Sequence, residues 1–335
     1  MDAYHQVAPV PPPLQLGSAA VQFIHALDCL KLIQYDTAIN LFEQVANSKT
    51  SYAKNAQYQL GLIHEHGLGE QQLYLDMASA AKQYERAHHE GHVGATFRLG
   101  MLMYHGVNGH KAYGQAKLLF TKIAQCTDQN NQFVQILRRD ACFYLGHMHE
   151  QGYGADVDDE ATCDYYQDAA DLGHPVAMFR LARNYADRIG VEEDGQKARV
   201  LYVNAVAIFE KEVAIQDNRD FFFYLGLSYA NGYGVTLDLQ RAAFYYYKAA
   251  ELGHIDAAYD LGLMLLRGDG VGGKDYGVAH KLLTLAHQGG HRLAKFYIEQ
   301  INDFIKTSKV QEPCQHQPKS KPITKFKSTT TQFSN

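Results

Sequence analysis

The stretch FFFYLGLSYANGYGVTLDLQRAAFYYYKAAELGH, residues 221–254, holds two patterns that recur along the chain. The first is an aromatic residue at Phe223, a Leu225-Gly226 pair reached three positions later, and a G-x-G at 232–234. The same arrangement stands in AQYQLGLIHEHGLG (56–69), ACFYLGHMHEQGYG (141–154) and AAYDLGLMLLRGDG (257–270). ATFRLGMLMYHGVNG (95–109) is a looser copy, and MFRLARNYADRIG (178–190) places Ala182 in the glycine position. These small-residue slots fall at 61, 100, 146, 182, 226 and 262, so the basic unit is 36 residues with insertions in three of the steps. Self-similarity at such a period is the mark of a stacked-repeat architecture.

The second pattern follows the first. DLQRAAFYYYKAAELGH (238–254), DDEATCDYYQDAADLGH (158–174) and DMASAAKQYERAHHEGH (76–92) share an acid, a small residue, a tyrosine, alanines and a closing Gly-His. Each unit therefore reads as two helices, A and B. In helix A, leucine and aromatic residues recur at the helical period. A glycine in mid-helix costs about 1 kcal/mol relative to alanine, so its recurrence predicts a neighbouring helix too close for a Cβ. The G-x-G supplies the positive φ that ends helix A. Asp76, Asp158, Asp238 and Asp275 stand where a carboxylate caps the free N–H groups opening helix B. His92, His174, His254 and His291 follow the closing glycines, where an imidazole is expected to bond the terminal carbonyls of the helix just ended.

The pattern resembles the Sel-1-like repeat family, relatives of the tetratricopeptide repeat, whose motif runs roughly A-x-x-x-L-G-x-x-Y-x-x-G-x-G-V…D-x-x-x-A-x-x-W/Y-Y-x-K-A-A-x-x-G. Residues 221–253 follow it nearly throughout. The resemblance implies an all-α, right-handed α–α solenoid with a concave face. The expected organisation is a proline-rich disordered leader at 1–18, a tetratricopeptide-like helix pair at 19–50, six repeats and a capping helix over 51–305, and a disordered basic tail at 306–335. The cap is the half-copy AKFYIEQINDFI, with Glu299 in the slot and a more polar outer face. Extra residues near 126–140 and 207–219 are expected to lengthen two helix-to-helix connections.

Composition narrows the function. Of 335 residues, 46% are hydrophobic and 20% charged, and the net charge is −5. The six lysines and single acid of 306–335 make that segment +5 and leave −10 on the rest, which argues against nucleic-acid binding by the folded body. No run of 18 apolar residues is present, so no transmembrane segment is expected. Five cysteines without recurring spacing, and an N-terminus unlike a signal peptide, predict reduced thiols and a cytoplasmic chain. KSKPITKFK (319–327) is a candidate nuclear-localisation patch, read first as a solvated tail, and Pro9-Val-Pro-Pro-Pro13 a stiff leader or an SH3-type ligand.

No catalytic, metal or cofactor constellation emerges. GDGVGG (268–273) matches a dinucleotide fingerprint formally, but Gly268 and Gly270 are in register with the turn glycines of the other copies. Seventeen histidines lack any zinc-site spacing. Ser51 with Lys54 and Ser79 with Lys82 match S-x-x-K, without the companion motifs of penicillin-recognising enzymes. Some disulfide-rich members of the resembled family are linked to β-lactam chemistry; this chain lacks their paired cysteines, and such a hydrolase is the alternative reading.

The informative set is the aromatic residue three positions before each slot: Tyr58, Phe97, Phe143, Phe179, Phe223, Tyr259 and, in the half-copy, Phe296. By resemblance to tetratricopeptide packing this position leans toward the concave groove. The residue just after the slot, such as His147 or Arg183, leans the same way, and a ladder of rings there would hold a peptide segment of a partner protein, with Glu65, Tyr104, Glu150 and Arg183 tuning specificity. Equally, the rings would serve only to pack adjacent repeats, and both readings stand. The resemblance implies an adaptor in protein-complex assembly, without an enzymatic role or cofactor. A passive spacer whose basic tail does the binding is a further alternative.

Overall fold

The computed structural model describes residues 18–68, 76–107, 110–128 and 130–311. The segments 1–17 and 312–335, on which most of the expectations about leader and tail rest, lie outside the described residues. Fifteen helices and, in place of any strand, a single isolated bridge between Val107 and His110 are found among the described residues. Helices α1 (Ser18–Lys31) and α2 (Tyr35–Ala46) form the leading pair. The six repeats then alternate A and B helices: α3 (Ala53–His66) with α4 (Met77–His89), α5 (Val93–His105) with α6 (Tyr113–Ala124), and α7 (Gln132–Gln151) with α8 (Asp159–Asp171). They continue as α9 (Pro175–Asp187) with α10 (Gly195–Val213), α11 (Arg219–Asn231) with α12 (Leu239–Glu251), and α13 (Ile255–Arg267) with α14 (Tyr276–Gln288). A lone A helix, α15 (Ala294–Gln311), closes the array and runs six residues past the boundary expected at 305.

Each helix packs on its neighbours in sequence, and α3 with α5, α5 with α7 and α11 with α13 also approach one another. No two B helices meet to the same extent. The A helices therefore line the inner side of the curvature and the B helices the outer. The architecture is the right-handed α–α solenoid.

The mid-helix glycines have a definite cause. A Cβ at Gly61 would lie 2.3 Å from the ring of Tyr84, at Gly100 2.8 Å from Phe120, at Gly146 2.6 Å from Tyr166 and at Gly226 2.5 Å from Tyr246. At these four the neighbour is thus a ring, seated on the glycine from the eighth position of the following B helix, rather than the backbone of a passing helix; at Gly262 the leucine at that position, Leu283, takes the seat at 2.9 Å. Tyr84, Tyr166 and Phe120 are among the largest fully buried side chains. Burying such a ring contributes roughly 1.5–3 kcal/mol against the ~1 kcal/mol that glycine costs the helix, so the seat wins.

The two turn glycines do different work. Gly152, Gly232 and Gly268 end their A helices in the left-handed conformation. The second glycine allows backbone to touch backbone between repeats. A Cβ at Gly270 would stand 2.2 Å from the Leu239 carbonyl oxygen, and one at Gly190 2.1 Å from that of Asp159.

The two longer insertions lengthen the connections 125–131 and 214–218, of seven and five residues against three at 90–92, 172–174 and 252–254, but the rest of each is helix. Residues 132–140 add about two turns to the front of α7, where Phe133, Val134 and Leu137 stand at helical spacing. Residues 207–213 extend the back of α10 and bury Phe209.

Candidate functional site

Asp76, Asp158, Asp238 and Asp275 accept backbone N–H groups of the turns they open, as the sequence suggests. The histidines behave otherwise. His92 Nδ1 accepts from the N–H of Ala95 at 3.0 Å, His174 Nδ1 from Ala177 at 3.1 Å and His254 Nδ1 from Ala257 at 3.2 Å. They cap the helix that follows instead of bonding the carbonyls of the helix before. Capping through Nδ1 needs the unprotonated ring, and burial pushes His92 and His174 down to about 4 and lowers His254.

Each of these rings also closes over the aromatic ladder. His92 stacks on Tyr58 at 4.4 Å between centroids, His174 on Phe143 at 4.3 Å, His254 on Phe223 at 4.2 Å and His291 on Tyr259 at 3.7 Å. The two repeats with the longer insertions have no such histidine; Asn131 and Asn218 cap the next A helix there. In them Phe97 packs on Phe120 and Tyr144, and Phe179 on Tyr202 and Tyr224. Tyr58, Phe97, Phe179 and Tyr259 are buried, Phe143 and Phe223 partly so, and Phe296 on the last helix is 55% exposed.

The remaining inner-face candidates converge at the centre of the solenoid. The Tyr104 hydroxyl and His147 Nδ1 are 2.8 Å apart. One helical turn beyond His147, Glu150 accepts the Tyr166 hydroxyl at 2.9 Å, Arg183 at 3.0 Å, and Arg180 in a shorter contact. Burial raises Glu150, but Arg180, the Tyr166 hydroxyl, His147 and Arg183 outweigh it and hold the carboxyl below its ordinary range. Burial and the Arg180 charge push His147 down to about 4, so it is neutral. Arg183, with 47% of its side chain exposed, carries the charge that reaches the surface. A second such triad lies near the N-terminus: Glu65 accepts the Tyr84 hydroxyl at 2.5 Å and Arg98 at 3.2 Å.

The sequence patterns include Tyr84 and Tyr166 only as the tyrosine of the second motif and do not point to Arg98 or Arg180. Their signal was present: Arg98 and Arg180 each stand two residues before a slot, and Tyr144 and Tyr224 take that position in the intervening copies. The Ser79 hydroxyl donates to Asp76 at 2.6 Å and so belongs to a helix cap. Among the described residues no group of three His, Cys, Asp or Glu side chains is placed to hold a metal ion. No helix among them is long and apolar enough to cross a membrane.

The Sel1 repeat pattern matches residues 54–91, 93–128, 139–174, 175–206, 223–254 and 255–291, more than half of the chain. The chain belongs to the Sel1 repeat family. Members of this family generally mediate protein–protein interaction and are typically non-catalytic. An exopolysaccharide production negative regulator of Rhizobium leguminosarum bv. viciae is 33% identical over 140 residues, which is 39% of this chain and 51% of that protein. Protein sel-1 homolog 2 of Rattus norvegicus is 36% identical over 93 residues, 28% of this chain and 12% of that protein. The matched region thus spans about half of one curated relative and about an eighth of the other. A crystal structure of a Sel1 repeat protein from Oxalobacter formigenes superposes with a TM-score of 0.58 over 79% of this chain and 96% of that one, at 22% identity. That likeness is one of fold.

Proposed function

We propose that this Sel1 repeat protein is a non-enzymatic adaptor that holds a segment of a partner protein against its inner face. The observation that carries the reading is the central cluster of Tyr104, His147, Glu150 and Arg183. It draws on α5, α7 and α9, three successive inner helices, and presents one half-exposed cation held in place by a partly buried carboxylate. A rigid polar anchor beside stacked rings suits an extended peptide, which needs fixed donors and acceptors along its backbone. The ladder enters this reading mainly as packing: its rings set the spacing of the inner helices, and Phe143, Phe223 and Phe296 supply the apolar surface that remains. A cytoplasmic site of action belongs to the same proposal.

Site-specific photo-crosslinking in cells tests it. A photoreactive residue at position 104, 147 or 183 is expected to capture a common protein partner. The same probe at the outer positions Leu118, Val200 or Phe244, which are exposed, is expected to leave that partner free. Capture from the outer positions alone would refute the inner-face reading.

A further inference from the structure

The glutamate–tyrosine–arginine triad recurs in every second repeat, and its third copy is altered. Glu65 and Glu150 stand four residues after slots 61 and 146; the same register position after slot 226 is Ala230. Arg98 and Arg180 stand two residues before slots 100 and 182; the position before slot 262 is Asp260. The tyrosine is kept as Tyr246, seated on Gly226 like its counterparts. The third copy has therefore lost its carboxylate on one side and exchanged its guanidinium for a carboxylate on the other.

In the two complete triads an arginine of the next inner helix closes the network. In the third, Tyr246 hydrogen-bonds Asp260, and Asp260 joins no ion pair among the described residues. Burial and the neighbouring Asp256 push Asp260 up to about 6, against the Tyr246 hydroxyl and the charge of Arg267. Asp256, one turn earlier on α13, lies 3.9 Å from His291 Nε2 and keeps 59% of its side chain exposed. A half-buried carboxylate without a cation is costly and gains most from a charge-assisted partner.

We propose that an arginine of the bound partner segment completes this third triad, its guanidinium seated between Asp260 and Asp256 on the inner face of α11 and α13. The inference rests on the adaptor reading and names the partner's chemistry. Arginine is favoured over lysine because its planar fork can engage two carboxylate oxygens at once, and because arginine is the cation that closes the two complete triads. The −10 charge of residues 1–305 favours a basic segment in the same way.

The test is selection of a displayed library of random twelve-residue peptides on the full chain. Enriched peptides are expected to carry arginine. Replacing that arginine by lysine is expected to weaken binding several-fold, and Asp260→Asn to weaken it about tenfold or more while leaving the melting temperature unchanged. On binding, the Asp260 carboxyl should titrate at lower pH by carbon-detected NMR. Asp256→Asn, at an exposed position, provides a second reading that does not depend on tolerance at Asp260. Peptides without arginine, or arginine peptides that bind both variants as well as the parent, would overturn the proposal. That result would leave the adaptor reading standing, which only the cross-linking outcome decides.

Discussion

His174 accepts the backbone N–H of Ala177 through Nδ1 at 3.1 Å while its ring lies flat on Phe143 of the preceding repeat, 4.3 Å away. One side chain thus starts a helix and fastens two repeats. His92 and His254 do the same at their own junctions.

This arrangement makes stability depend on pH. The folded rings of His92 and His174 take up a proton only near pH 4, whereas an unfolded histidine does so near 6.5. Unfolding therefore binds protons in that interval. The contribution, on the order of 3 kcal/mol per site at full extent, is present above pH ~6.5 and is lost as pH falls toward 4. Lys54 beside His92, and Asp140, Arg139 and Arg180 around His174, shift these midpoints less than burial does. Urea denaturation at pH 7.5, 6 and 5 should show falling stability. His174→Asn, which keeps a capping side chain, should lower stability at pH 7.5 by about 1 kcal/mol through lost stacking and flatten the slope by one site. An unchanged slope would contradict the capping role.

The glycine seats predict an order of costs. Gly146→Ala and Gly226→Ala each gain about 1 kcal/mol of helix propensity, yet the new methyl meets a buried tyrosine ring at 2.6 and 2.5 Å. A net loss of about 1–3 kcal/mol is expected. Gly270→Ala should cost more, because a carbonyl oxygen at 2.2 Å cannot swing aside. Gly173→Ala has open space and only its φ of 87° to overcome, for about 1–2 kcal/mol. Equilibrium denaturation of the four variants checks the ranking.

Removing the central carboxylate should be severe. Glu150→Gln leaves Arg180 largely buried without a counter-charge and is expected to cost about 2–3 kcal/mol. Arg180→Asp sets two carboxylates against each other and should cost at least as much. Combining it with Glu150→Ala imitates the natural Ala230–Asp260 arrangement and should recover part of that loss. A double-mutant cycle measures the coupling; strictly additive effects would argue against a shared network.

The alternation of Ala182 with the glycines gives a simpler expectation. Ala182 is fully buried in a helix whose neighbours tolerate its methyl group, so Ala182→Gly should lose about 1 kcal/mol of helix propensity. A thermal melt would register it as a lowered midpoint.

Repeat number, helix pairing, the aspartate caps and the left-handed turn glycines were legible from residues 221–254 and their copies, because each depends on neighbours within one or two turns. Periodicity alone was enough to specify that the chain stacks. Three things depended on the packed array. The histidines follow one helix and precede another, and only the folded junction decides which end they cap. Phe133, Val134 and Leu137 lengthen α7 inside what aligned as an insertion, since a repeat register conceals helix that falls outside it. The triads join residues 14 to 33 positions apart on three helices, so no local spacing reveals that Glu150 meets Tyr166 and Arg180. Short-range rules are written in the order of residues, whereas the meeting of side chains across repeats is set by how far each seated ring lets the next pair of helices approach.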